Sequence, residues 1–231
     1  MNWGALFETY RWWAETFCAP IYWRDENNKL RNASMTFVQT NSGNIIGVTN
    51  WHVAEELQNS PSSVKNNIQV GFAPFELNRY IAKHSHFDLA TFQLSDVFLT
   101  TAKKSATHIS SRQLKENDAL LLGGYPALRV TEKQTEIEFT FAWFACKAIN
   151  VSEKNISLVL DIENSIATSG ERIISHSDLG GWSGGPVFHA IDSNLIERIE
   201  LVGVIYEYGE DSEIVIAHPL NCIQDDGTFY E

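Results

Sequence analysis

Gly180-Gly181-Trp182-Ser183-Gly184-Gly185-Pro186-Val187 is the stretch on which the reading of the whole chain turns. A serine set among four glycines and followed three residues later by a proline has no ordinary packing role. Glycine reaches positive φ and lets the backbone come close to a ligand. A nucleophilic serine uses both properties. Its Oγ must be exposed, and neighbouring backbone N–H groups must converge on the oxyanion formed when it attacks a carbonyl. The plainer alternative is a glycine-rich surface turn with an incidental serine, and the motif by itself leaves both open.

Two upstream segments bear on the choice. Gly47-Val48-Thr49-Asn50-Trp51-His52-Val53-Ala54 puts a histidine after an apolar strand and before a short helical turn. His86-Phe87-Asp88-Leu89-Ala90-Thr91-Phe92 puts an aspartate at the head of an alternating strand, between apolar neighbours. A carboxylate there is costly without a partner. A histidine N–H is a suitable one, because it also fixes the tautomer a general base needs. Alone, His52 reads as a satisfied core imidazole and Asp88 as a turn cap. Together with Ser183 they fall in the order His, Asp, Ser, separated by 36 and then 95 residues. That is the chain order of one known serine-nucleophile triad.

The rest of the chain has the punctuation of an all-β protein. After a helical stripe over Asn2 to Phe17, formed by Trp3, Leu6, Phe7, Tyr10, Trp13 and Phe17, the pattern changes to short β-type runs between turn residues. The runs are Ser34–Thr40, Ile45–Thr49, Ile68–Phe72, Leu89–Leu94, Ala119–Leu122, Glu136–Phe144, Ile156–Leu160, Pro186–Phe188, Leu201–Tyr206 and Glu213–Ala217. Asn41-Ser42-Gly43-Asn44 joins the first two as a hairpin. Such spacing predicts a sandwich or a barrel. A loop-like stretch near Ser110–Asp118 divides the chain into a helical segment 1–20 and two β halves, 21–112 and 113–231.

On these residues the sequence resembles the trypsin-like serine proteases. Thr49-Asn50-Trp51-His52-Val53 is similar to their histidine motif and Phe87-Asp88-Leu89-Ala90 to their aspartate motif. Gly181-Trp182-Ser183-Gly184-Gly185-Pro186 is similar to their serine motif, and Leu201-Val202-Gly203-Val204-Ile205 to the strand lining their substrate cleft. The resemblance spans about Ser34 to Pro219. It implies two six-stranded antiparallel β-barrels of chymotrypsin type behind a short N-terminal helix. It also implies a serine endopeptidase working through an acyl-enzyme, with His52, Asp88 and Ser183 as triad and the N–H groups of Gly181 and Ser183 as oxyanion hole.

By position the resemblance places substrate-binding residues at Ser177, Asp178, Tyr206, Glu207, Tyr208 and Ile214, with Val215 also on the pocket wall and Glu207 and Asp178 favouring a basic side chain. Two departures stand out. Trp182 occupies the place of the aspartate that pairs with a newly cut N-terminus in digestive trypsins, so activation by that route is not expected. Val53 stands where those enzymes carry a bridged cysteine, which is closer to bacterial, disulfide-free members such as the heat-shock proteases.

Composition narrows the function classes. With 17 Lys and Arg against 29 Asp and Glu, the net charge is −12, which repels phosphate backbones and argues against nucleic acid as partner. Three widely spaced cysteines, Cys18, Cys146 and Cys222, make a poor disulfide framework. Glu8, Arg11 and Glu15 interrupt any apolar signal-like run, and no run reaches the length of a membrane span. The expectation is a cytoplasmic protein with a protein or peptide substrate, no cofactor, no membrane contact, and an N-terminal helix able to dock a regulatory partner.

Rival readings are three. A catalytically latent trypsin-like module would act in protein binding. An α/β-hydrolase-type esterase would use Ser183 and His218, with Asp192 or Asp211, since Gly181-Trp182-Ser183-Gly184-Gly185 also fits the G-x-S-x-G elbow. His84 and His86 could begin a zinc site, but no third ligand lies at useful spacing, so no metal is expected.

Overall fold

The computed structural model describes residues 3–127, 130–133, 136–160, 180–193, 196–209 and 214–230. The N-terminal stripe forms helix α1 (Trp3–Thr16), which leaves Trp12 and Trp13 exposed. The chain then runs directly into β1 (Cys18–Arg24), β2 (Leu30–Gln39) and β3 (Ile45–Asn50). Helices α2 (Trp51–Asn59) and α3 (Ser62–Lys65) follow, then two very short strands, β4 (Gln69–Val70) and β5 (Ala73–Pro74). β6 (Tyr80–His84), β7 (Leu89–Leu94) and α4 (Asp96–Ala102) complete the first half.

The second half contains β8 (Ala119–Gly124), the small hairpin β9 (Val130–Glu132) and β10 (Ile137–Phe139), β11 (Ala142–Val151), β12 (Ile156–Val159), β13 (Pro186–Ser193), β14 (Ile196–Gly209) and β15 (Ile214–Pro219). Six of these close a barrel in the order β11-β12-β15-β14-β13-β8, as expected.

The first half is a seven-stranded sheet in the order β5-β4-β1-β2-β3-β7-β6, which beside the closed barrel gives the expected two-lobed architecture. β4 and β5 are each two residues long and are joined through Gly71 at φ +59. Helices complete its core. Val53, Ala54 and Leu57 of α2 and Phe98, Leu99 and Ala102 of α4 pack on Ile21, Met35, Phe37 and Phe92 of the sheet. Helix α4 lies in a region the sequence reading left without an element. Its signal is Ser95, whose side chain accepts from Phe98 N–H at 3.2 Å and caps the first turn.

The two halves meet over a third apolar cluster. Val38, Ile46, Val48 and Leu89 from the first sheet face Leu121, Trp143, Phe188, Leu201 and Val204 from the barrel. The last residues return to the first half. Thr91 Oγ1 donates to Gly227 O at 2.6 Å, and Asn41 N–H donates to Asp225 Oδ1 at 3.0 Å. The segment 221–230 thus straps the second half to the strand that follows Asp88.

Candidate active site

Register brings the histidine and the aspartate together. β3 and β7 are antiparallel, and the ladder ends with Asn50 opposite Leu89. One step beyond it, Trp51 N–H donates to Asp88 O at 2.7 Å, and Asn50 Nδ2 donates to the same oxygen at 3.2 Å. Asp88 sits in the left-handed region at φ +46, which aspartate tolerates better than most residues. That turn aims its carboxylate back at the start of α2. There Asp88 Oδ1 accepts the backbone N–H of His52 at 2.9 Å, and Asp88 Oδ2 lies 2.5 Å from His52 Nδ1. One carboxylate caps a helix N–H left orphaned by the turn geometry and also holds an imidazole. Because a carboxylate only accepts, Nδ1 carries the proton and Nε2 keeps its lone pair. Half of the His52 side chain is exposed against 18% of Asp88, so the base faces solvent while the acid stays behind it.

The serine turn is held differently, by its carbonyls. Gly180 O accepts from Ala127 N–H at 2.5 Å, Gly181 O from Ser34 Oγ at 2.9 Å, Trp182 O from Gly185 N–H at 2.8 Å and Ser183 O from Ser34 N–H at 2.9 Å. In a planar trans peptide, C=O and N–H point in opposite directions. With the carbonyls of 180 and 182 turned to these partners, the N–H groups of Gly181 and Ser183 point the other way. Among the described residues neither donates to anything. Gly181, at φ +93, has no room for a Cβ, which would meet Asn32 Nδ2 and Tyr125 O at 2.6 Å. At Gly184 (φ +84) a Cβ would sit 2.2 Å from Ser34 O and 2.6 Å from Thr49 Oγ1. Two glycines of the motif are thus explained by close backbone approach, as their pattern implied.

Trp182 anchors the turn. It is 2% exposed and its ring lies 5.1 Å from that of Phe144, in the barrel core with Leu120, Leu122, Val187 and Val202. An apolar plug thus fills the place where the resemblance would put an activation aspartate.

Ser183 is tied to the histidine side through β2 and β3. Ser34 N–H holds Ser183 O, and Ser34 O in turn accepts from Thr49 Oγ1 at 2.8 Å, three residues before His52. Asn32, Ser34, Thr36 and Thr49 therefore belong to the frame of the site, although none has the chemistry of a catalytic group. The sequence signal for them was the alternation Asn32-Ala33-Ser34-Met35-Thr36-Phe37, polar on one face and apolar on the other.

The substrate-side residues are only partly together. Ser177 and Asp178 lie outside the described residues. A bulge in the β14–β15 pairing falls at Tyr206, which is half-buried and stacks on His218 at 4.8 Å. Burial, and then the charges of Glu207 and Asp88, raise its phenol pKa. Glu207 is exposed on the same strand and Tyr208 half-buried. Ile214 is half-buried at the head of β15, paired with Val159 and Gly209. Val215, expected on a pocket wall, is fully buried in the barrel interior.

Of the other candidate histidines, two are held by backbone hydrogen bonds. His218 is 5% exposed, donates Nδ1–H to Lys154 O at 2.9 Å and packs between Tyr206 and Phe87. Burial lowers its pKa. With that nitrogen spent on a carbonyl, and in a fold without βα alternation, the α/β-hydrolase reading falls. His84 accepts from Phe87 N–H and stacks on the Phe87 ring at 4.3 Å, while His86 is exposed. Among the described residues no group of three His, Cys, Asp or Glu could hold a metal ion. All three cysteines are free, and burial pushes Cys18 and Cys146 to about 12 and Cys222 to about 11.

A closed six-stranded barrel beside a second β sheet, with a short N-terminal helix, is the two-lobed architecture of the chymotrypsin-type serine proteases. The Rv3671c protease from M. tuberculosis, in its active form, is similar over 94% of this chain and 82% of its own, at 17% identity and a TM-score of 0.54. The protease Anisep from Arthrobacter nicotinovorans is similar over 88% of this chain and 90% of its own, at 15% identity and a TM-score of 0.48. The thermostable serine protease AL20 from an extremophilic microorganism covers 89% of this chain and 92% of its own, at 11% identity and a TM-score of 0.46. The likeness to the Rv3671c protease, at 17% identity, concerns the fold. No protein-family model matches the sequence, and no curated protein sequence does.

Proposed function

We propose that the chain is a serine endopeptidase with Ser183 as nucleophile, His52 as general base and Asp88 as the group that orients and stabilises the imidazolium. One observation carries the reading. His52 Nδ1 lies 2.5 Å from a carboxylate that also accepts the residue's own backbone N–H, so the ring presents Nε2 as acceptor. That is the tautomer a base needs to take a hydroxyl proton.

In this mechanism Ser183 Oγ attacks the scissile carbonyl carbon while Nε2 removes its proton. The N–H groups of Gly181 and Ser183 donate to the oxyanion, an effect of roughly 3–4 kcal/mol per donor in comparable sites. The imidazolium then protonates the leaving amine as the C–N bond breaks, leaving an ester on Ser183. Water attacks the ester, His52 takes the water's proton, and Oγ leaves with that proton restored. The chemistry needs no metal or organic cofactor. The exposed carboxylate of Glu207 on β14 favours a basic substrate side chain.

A fluorophosphonate probe, read by intact mass, tests the assignment. One equivalent should add to the wild type, and none to Ser183→Ala or His52→Ala. A peptide library should be cleaved by the wild type alone. Labelling of the Ser183→Ala variant overturns the nucleophile. A wild type that neither labels nor cleaves marks a non-catalytic binding module.

A further inference from the structure

Strand β2 places Asn32, Ser34 and Thr36 on one face, while Ala33, Met35 and Phe37 point into the core of the first sheet. Ser34 and Thr36 are completely buried. Buried hydroxyls are costly unless they are paired. Their partners lie in the second half of the chain. Asn32 Nδ2 donates to Tyr125 O at 2.6 Å and Thr36 Oγ1 to Gly184 O at 2.7 Å. Ser34 Oγ is bound on both sides. It accepts from Tyr125 N–H at 3.0 Å and donates to Gly181 O at 2.9 Å.

The direction of the Gly181 carbonyl has consequences for the neighbouring peptides. It fixes the Gly181–Trp182 plane, whereas the Gly181 N–H belongs to the preceding Gly180–Gly181 plane, whose carbonyl accepts from Ala127 N–H at 2.5 Å. Ser34 reaches that plane as well, because its Oγ also accepts Tyr125 N–H, two residues before Ala127. Glycine at φ +93 offers little resistance of its own to a different rotation. Among the described groups, only the Ser34 hydroxyl holds that carbonyl. The serine's backbone cannot replace it, because its N–H is given to Ser183 O and its C=O to Thr49 Oγ1.

We propose that Ser34 is a positioning residue for the oxyanion hole, a latch from the first half that holds the peptides on both sides of Gly181 in their productive orientation. The latch rests on the endopeptidase reading above. Removing the hydroxyl leaves a buried carbonyl and the buried Tyr125 N–H unpaired, and the glycine turn is free to rotate its carbonyl toward a new donor. With Tyr125 N–H released as well, Ala127 shifts its hold on Gly180 O, and the Gly181 N–H turns away from the oxyanion. Ground-state binding of substrate does not use this donor fully, whereas the tetrahedral state does.

The test is Ser34→Ala in the full chain, with active sites counted by fluorophosphonate titration. The expected result is a fall in kcat of about ten- to a hundred-fold with KM held within about two-fold. A peptide boronate of the best-cleaved library sequence, whose tetrahedral adduct fills the hole, should weaken by the same factor. A purely structural serine would instead lower the unfolding midpoint while kcat and boronate affinity per titrated site stay within about two-fold, and that result overturns the latch. Should Ser34→Ala fail to fold, Ser34→Cys keeps the volume with a weak donor and should lose kcat in the same direction; an unchanged kcat there also overturns it. A wild type that does not label at Ser183 fails the endopeptidase reading itself. A wild type that labels, beside an unaltered Ser34→Ala, fails only the latch.

Discussion

On the histidine side of the candidate site, one side chain holds another. The Asp88 carboxylate, set by a left-handed turn at the end of a β ladder, grips His52 through a single ring contact of 2.5 Å. On the serine side, the hold is on the backbone and on one apolar side chain. Four successive carbonyls, from Gly180 to Ser183, are each given a donor, and Trp182 is sunk into the barrel core. The first arrangement concentrates its function in one proton position. The second distributes it over a backbone shape. Changes on the histidine side should therefore strike chemistry and spare the fold, whereas changes on the serine side should reach activity by way of the fold.

The largest effect that would break this contrast is at Asp88. Asp88→Asn keeps the shape but presents an amide to Nδ1, favouring the tautomer with the proton on Nε2. At neutral pH kcat should fall by about 10⁴-fold with the circular dichroism spectrum and unfolding midpoint nearly unchanged. A fall in stability matching the fall in activity would show that the carboxylate's main task is capping α2.

Trp182→Ala tests the opposite side. It empties a large volume beside Phe144 and should cost about 3–5 kcal/mol in denaturant unfolding, with Trp182→Phe recovering much of it. If Trp182→Ala instead leaves stability intact and abolishes turnover, the turn is held by chemistry other than packing.

The smallest effect sharpens the comparison at the seam. His218 packs between Phe87 of one half and Tyr206 of the other, and burial lowers its pKa below the ordinary 6.5. The unfolded chain therefore binds more protons than the folded one in that window. Stability is complete above about pH 6.5 and declines as pH falls through the depressed folded value. His189, buried in the barrel beside Asp118, is lowered in the same direction. His218→Asn should flatten the loss of unfolding free energy between about pH 7 and pH 5, leaving the slope due to His189. An unaltered slope would place the acid sensitivity elsewhere.

Much of this was legible beforehand because it is written in local pattern. The hairpin around Gly43, the strand Leu89–Leu94 and the glycine-rich turn all follow from spacing and residue type, and the structure shows each of them. The edge of the first sheet was less legible, because β4 and β5 have two residues each, too few to leave a periodic trace. The polar face of β2 was visible as alternation, but its partners lie 91 residues away at Tyr125 and 147 away at Gly181, a pairing no local window contains.

The sequence alone therefore determined the element types, the order of the three candidate catalytic residues and the need for glycine at the turn, because propensity, periodicity and backbone freedom are short-range properties. Tertiary structure decided which carbonyls the turn surrenders, which carboxylate oxygen meets which nitrogen, and that a tryptophan anchors the nucleophile. Those outcomes depend on how two halves of the chain approach each other, and directional hydrogen bonds are settled only once both partners have a place.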